Sequence, residues 1–203
     1  KDVFFCYQEN DTKILDEQSK EIFTEYQEVE PLRLQNISSD LMYEKTVLKY
    51  SKDGKFGIID FNGKKITSAK YEEINTLQFK EGELLVKEEA KYGVININGA
   101  TMVESEYDKI ESDKYYDKNE GYKKSGYIVS NRTEEGYRYG YVSESGKKYL
   151  DTKYNDIFRI LEIRDEDVFI VAAENGKYGI FKNAENVISN DYQAFSYDKN
   201  NNL

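Results

Sequence analysis

Carboxylates and tyrosines are the side chains of this 203-residue chain best suited to chemistry. Acidic residues stand in runs at Glu72-Glu73, Glu88-Glu89, Glu134-Glu135 and Asp165-Glu166-Asp167. Glycoside cleavage needs two carboxyl groups facing each other across a cleft, whereas neighbours in a strand point to opposite faces. These pairs therefore read as charged strand edges that discourage edge-to-edge association. Asp60-Phe61-Asn62-Gly63 and Asn96-Ile97-Asn98-Gly99 match the opening of a calcium loop but lack the distal acidic ligand, so the hairpin-turn reading is preferred. There is no His, and Cys6 is the single Cys. Imidazole catalysis, thiolate-rich metal sites and an internal disulfide are excluded, and a Ser or Cys nucleophile would lack its usual base. No Gly-rich phosphate loop or dinucleotide fingerprint occurs, and no cofactor is expected.

Tyrosines number 19 against 10 Phe and no Trp. Tyr115, Tyr116, Tyr122, Tyr127 and Tyr137, with Lys123 and Lys124, form the densest group and are the candidate ligand-binding residues. A loop carrying several Tyr offers large, rigid contact area with polar tips. A Tyr-rich strand extension covering its own surroundings is the equally weighted alternative. The net charge of −10 argues against nucleic acid and anionic membranes as partners. No apolar run approaches the roughly eighteen residues of a membrane span, and Val3 to Tyr7 is too short for the core of a signal peptide.

The elements that must position these residues are repeats. Asp53-Gly54 and Asn62-Gly63 suit tight turns, and Lys55 to Phe61 between them is aromatic and β-branched, so the unit reads as strand, turn, strand, turn, strand. An aromatic-Gly pair recurs at Phe56-Gly57, Tyr92-Gly93, Tyr139-Gly140 and Tyr178-Gly179, at intervals of 36, 47 and 39 (92 − 56, 139 − 92, 178 − 139). Those intervals fit units of three or four strands. Each of the first three aromatics precedes a second Tyr by fifteen residues (71 − 56, 107 − 92, 154 − 139), and the last is one short. A degenerate first copy aligns Ile14, Leu15, Asp16, Lys20, Ile22 and Tyr26 with Ile58, Ile59, Asp60, Lys64, Ile66 and Tyr71. The Tyr-rich cluster lies mostly within the longest interval, where an insertion is expected to form a loop. The rings Phe56, Tyr92, Tyr139 and Tyr178 are expected in the core between repeats, with Gly57 admitting the ring of an adjacent repeat. Pro31 to Met42 reads as a loop with at most a short helical turn near Asp40 to Glu44.

The expected fold is therefore all-β: a single domain over 1–203 of about five antiparallel β-meander repeats, approximately 1–30, 44–74, 82–110, 125–157 and 167–195. A propeller-like ring is favoured over an open solenoid array, because the chain starts with a strand and ends after the element that precedes it elsewhere.

Lys55-Phe56-Gly57, Lys91-Tyr92-Gly93, Arg138-Tyr139-Gly140 and Lys177-Tyr178-Gly179, with the turns Asn62-Gly63-Lys64 and Ser145-Gly146-Lys147, resemble the bacterial WG-containing repeat family. The chain departs from that pattern in having Phe or Tyr at each Trp position, and it lacks the Pro that often precedes the Tyr-Asp. The resemblance implies a non-enzymatic interaction module on the bacterial surface or secreted, with no catalytic residues to transfer. A protein partner is expected. A carbohydrate-binding module or a sugar-cleaving propeller enzyme is the alternative, and a cytoplasmic location the alternative to an extracellular one.

Overall fold

The computed structural model describes residues 2–8, 11–35, 42–78, 80–117, 121–159 and 167–195, with the backbone alone at 8, 11, 80, 114–117, 121–124 and 159. The described residues form five antiparallel sheets and no helix. The first sheet pairs β1 (Val3–Gln8) with β2 (Asp11–Asp16). The second holds β3 (Glu28–Arg33), β4 (Tyr43–Lys52) and β5 (Lys55–Asp60). The third runs β6 (Glu73–Leu77), β7 (Lys80–Glu88), β8 (Lys91–Asn96), β9 (Thr101–Tyr107). The fourth runs β10 (Lys109–Asp117), β11 (Gly121–Thr133), β12 (Gly136–Ser143), β13 (Lys148–Tyr154), and the fifth β14 (Asp156–Arg159), β15 (Phe169–Glu174), β16 (Lys177–Lys182), β17 (Glu185–Tyr192). Two compact units divide the chain, Lys1–Glu106 and Tyr107–Leu203.

The tight turns take the backbone their residues favour. Between β4 and β5, Asp53 and Gly54 adopt φ of 54° and 74°, the left-handed pair of a two-residue hairpin. The second turn of each of the first four repeats is closed by a side chain, Ser143 Oγ accepting the Lys147 amide at 3.0 Å in the fourth. Asp60 Oδ1 accepts the amides of Asn62 and Lys64, both at 2.8 Å, and Asn96 Oδ1 accepts those of Asn98 and Ala100 at 2.9 and 3.0 Å. Asp16 Oδ1 does the same for Gln18 and Lys20, so the degenerate first copy keeps this loop. Gly63, Gly99 and Gly146 supply the positive φ such a loop requires, and Ser19 supplies it in the first copy at 60°.

The fifteen-residue spacing is a strand register. Phe56 bridges Tyr71, Tyr139 stands opposite Tyr154, and Tyr178 opposite Tyr192. Two residues further along β12, Tyr141 pairs with Leu150, so β13 carries two extra residues opposite Gly140 and bulges. That bulge explains the glycine. A Cβ on Gly140 would lie 2.5 Å from the Leu150 carbonyl oxygen, one on Gly93 2.7 Å from that of Val103, and one on Gly179 2.8 Å from that of Ile188. Gly57 likewise meets the Ser68 carbonyl and the Tyr50 ring of its own sheet. The close neighbour is thus the same repeat's next strand, together with a ring of that sheet at Gly57, where the sequence suggested a ring from an adjacent repeat.

Within each unit successive sheets pack face to face. Strand alternation sends the second residue after the aromatic to one face and the third to the other. Ile14 of the first sheet packs with Leu48, Tyr50 and Ile59 of the second. Ile58 and Val47 of the second pack with Leu84, Val86 and Ile95 of the third. In the other unit Tyr141 and Leu150 of the fourth sheet pack with Ile170, Ala172 and Phe181 of the fifth. Linkage between sheets comes from the residue after each Tyr. Glu72, Asp108 and Asn155 donate their amides to Lys87, Ser130 and Ala173 carbonyls, so the apolar residue that follows, Ile74, Ile110 or Ile157, begins the next sheet rather than ending the old unit.

Two expectations are corrected. Phe56, Tyr92, Tyr139 and Tyr178 are half-buried, while the fully buried rings are Tyr50, Tyr127 and Tyr141 and, nearly so, Tyr71, Tyr107 and Tyr154. Phe56, Tyr92 and Tyr178 sit at hairpin ends, and a lysine caps the first two: Lys49 lies 4.8 Å from the Phe56 centroid and Lys87 5.3 Å from that of Tyr92. Pro31 lies in β3, the edge strand of its sheet, where a missing amide is tolerated, and Tyr43 and Glu44 begin β4 rather than a helical turn. Residues 36–41 lie outside the described residues.

Candidate recognition arm and surface clefts

The insertion in the longest repeat lengthens β10 and β11 into a hairpin. Among the described residues β12 pairs with β11 only from Gly126 to Thr133, whereas Lys114–Asp117 pair with Gly121–Lys124 alone. Beyond the four-stranded sheet the chain therefore continues as a two-stranded arm. Tyr115 stands opposite Lys123 in it, and Tyr116 opposite Tyr122. Backbone register brings these five candidate residues together, and it corresponds to the strand-extension alternative rather than a loop.

The other two candidates are elsewhere. Tyr127 is fully buried, in the part of β11 that pairs with both neighbours, opposite Ser112 and Val142. It is a core residue and leaves the recognition set. Tyr137 is 44% exposed opposite Arg132, at the end of β11 remote from the arm. Ten residues of strand separate Arg132 from Tyr122, about 30 Å at the usual rise. Tyr137 does not join the arm.

A polar group that sequence reasoning missed sits at the arm's base. β10 and β11 shift register between Ser112 and Lys114, so Asp113 faces both Ser125 and Gly126. Asp113 and Ser125 are buried, with Tyr141 fully enclosed beside them. The Tyr141 hydroxyl donates to Asp113 Oδ2 at 2.7 Å, which leaves Ser125 Oγ to donate to Tyr141 Oη at 2.8 Å. Buried polar groups that satisfy one another hold a single geometry, here the bulge from which the arm departs. Nothing in a linear sequence joins positions 113, 125 and 141. The extra hydroxyl of Tyr141, at a position occupied by Ile58 and Val94 in other repeats, was the one available signal.

Four of the carboxylates considered for chemistry are held by lysines, while Asp165 and Glu166 lie outside the described residues. Glu72 pairs with Lys55 and Glu73 with Lys87, Lys70 holds Glu88 at 2.9 Å, and Asp167 binds Lys182 at 2.7 Å. The Lys182 and Asn183 side chains hold the Asp167 carboxyl below its ordinary range. The Asp60 and Asn96 side chains close their own turns, as the hairpin reading expected. Among the described residues no group of three or more Cys, Asp or Glu could hold a metal ion.

Two open clefts lie in the first unit. One, about 310 Å³, is walled by Lys70, Tyr71, Glu88, Glu104 and Ser105, with the Lys70 ammonium already shared by Glu88 and the Tyr71 ring. The Glu88 hydrogen bond raises the Lys70 pKa, and burial raises that of Tyr71. The other, about 490 Å³, is lined by Val47, Ile66 and Ile97 below Lys64 and Lys65. Comparison with protein-family models, curated proteins and solved structures finds no match to this chain.

Proposed function

We propose that this chain is a non-enzymatic β-repeat binding module of the WG-containing repeat kind, displayed on or secreted from a bacterial cell, that takes a protein partner on the β10–β11 arm. The observation that carries the reading is the pairing of Lys114–Asp117 with Gly121–Lys124 and, among the described residues, with no third strand. A two-stranded ribbon is marginal in water, and Tyr115, Tyr116 and Tyr122 along it are of the type that supplies rigid contact area. Its strands also offer main-chain groups to which an extended partner segment can pair. The family reading is supported by the aromatic register shared by three of the aromatic-Gly repeats and by the turn kept in the first copy.

Replacing Tyr115, Tyr116 and Tyr122 together by Ala tests it. The expected result is loss of a specific protein captured by the parent chain, with the melting temperature kept. Capture that survives the triple change, or a saturable signal on a glycan array in place of a protein, overturns it in favour of the carbohydrate reading.

For the arrangement of the five sheets we propose a propeller-like ring, supported by the face-to-face packing of consecutive sheets within each unit. Spin labels on Cys6 and on an introduced Asp191→Cys should report a short distance between the first and last sheets. A long one leaves an open array.

A further inference from the structure

The 490 Å³ cleft of the first unit joins two features that rarely coincide on so acidic a chain. Part of its lining is apolar: Val47 is 2% exposed, and Ile66 and Ile97 are half-buried, beside the polar Thr46 and Asn98. Its rim carries Lys64 and Lys65. No carboxylate pairs with either ammonium among the described residues; Lys65 lies 5.7 Å from the Tyr26 centroid. The acidic residue in the lining, Asp60, has Oδ1 committed to two backbone amides.

The cleft is built by the fold. The turns Asp60–Lys64 and Asn96–Ala100 occupy equivalent positions in consecutive sheets, and a Cβ on Gly99 would lie 3.1 Å from both Ile66 Cγ2 and Thr67 Cγ2. That close approach brings the isoleucine of one turn against the backbone of the next. The volume falls within the usual range for small-molecule pockets.

We propose that this cleft binds a small organic carboxylate with an apolar body, the body lying on Val47, Ile66 and Ile97 and the carboxylate meeting Lys64 and Lys65. Burial of a short alkyl chain drives entry, and the two ammonium groups select an anion over a neutral molecule of the same shape. Because those groups are exposed, affinity falls as salt rises.

Titration of the whole chain with hexanoate, acetate and 1-hexanol, followed by amide chemical shifts, tests the site. Hexanoate should move the amides of Val47, Ile66, Ile97 and Asn98 saturably, with acetate and 1-hexanol weaker. The double change Lys64→Gln and Lys65→Gln, at exposed positions that leave the core intact, should weaken hexanoate about fivefold, the scale of a partly exposed ion contact. Shifts that are absent from these amides, hexanoate binding unchanged in the double variant, or acetate bound as well as hexanoate would each overturn the proposal.

Discussion

Ser19 and the repeat glycines show how one backbone angle decides a residue's worth. Gly63, Gly99 and Gly146 occupy the left-handed position of the side-chain-closed turn, and Ser19 occupies it at φ 60°. An L side chain there costs about 1 kcal/mol, so Ser19→Gly should stabilise by that order and Gly63→Ala should cost at least as much, in urea titrations. The Gly63 change also presses a new Cβ to 3.2 Å from the Phe23 ring. Burial ranks the aromatics differently from the repeat signature. Tyr71 and Tyr154 are each 4% exposed, so either one changed to Ala should lose about 3 to 5 kcal/mol. The half-buried Tyr92 should lose about 1 to 2 kcal/mol by the same measurement. The opposite order would mean that the signature ring, and not the ring fifteen residues on, anchors each repeat. The signature was legible because a ring beside a glycine stands out; its partner's deeper burial was not, since both are simply Tyr or Phe in a strand.

At the scale of the element, turns were legible and the bulge was not. Asp53-Gly54 and Asn175-Gly176 form left-handed pairs as their residues favour, but Glu89 and Ala90 adopt the same turn at φ 51° and 63° with no residue that favours it. There the pairing of β7 with β8 imposes the geometry over local preference. The arm depends on the Asp113, Tyr141 and Ser125 group in the same way. Tyr141→Phe removes the hydroxyl between two buried partners and should cost about 1 to 3 kcal/mol, read by urea titration. Its effect should be larger than that of changing the three arm tyrosines, whose strands pair only with each other among the described residues. If the arm triple variant were the less stable of the two, the arm would be a structural element and the proposed interface would fall.

For the whole molecule, the absence of His removes the group that normally titrates between the carboxylates and the tyrosines. Alkaline pH acts on the core instead. Burial raises the pKa of Tyr50, Tyr71 and Tyr154 above that of a free phenol. A folded-state pKa above the unfolded one contributes stability that is whole below the unfolded value and is lost as pH rises through the folded one. The denaturation midpoint should therefore fall above about pH 10, together with tyrosinate absorbance, and a midpoint unchanged there would mean the rings ionise in place. What the sequence alone determined is the all-β class, the repeat and its turns, because glycine, asparagine and alternating apolar residues act on their immediate backbone. Tertiary structure decided which rings are core, since burial depends on which sheet lies opposite. It also decided that the Tyr-rich insertion is a paired arm, that Tyr127 belongs to the core, and that two lysines overhang an apolar cleft. Each of these sets together residues that only strand pairing and the stacking of sheets bring within reach.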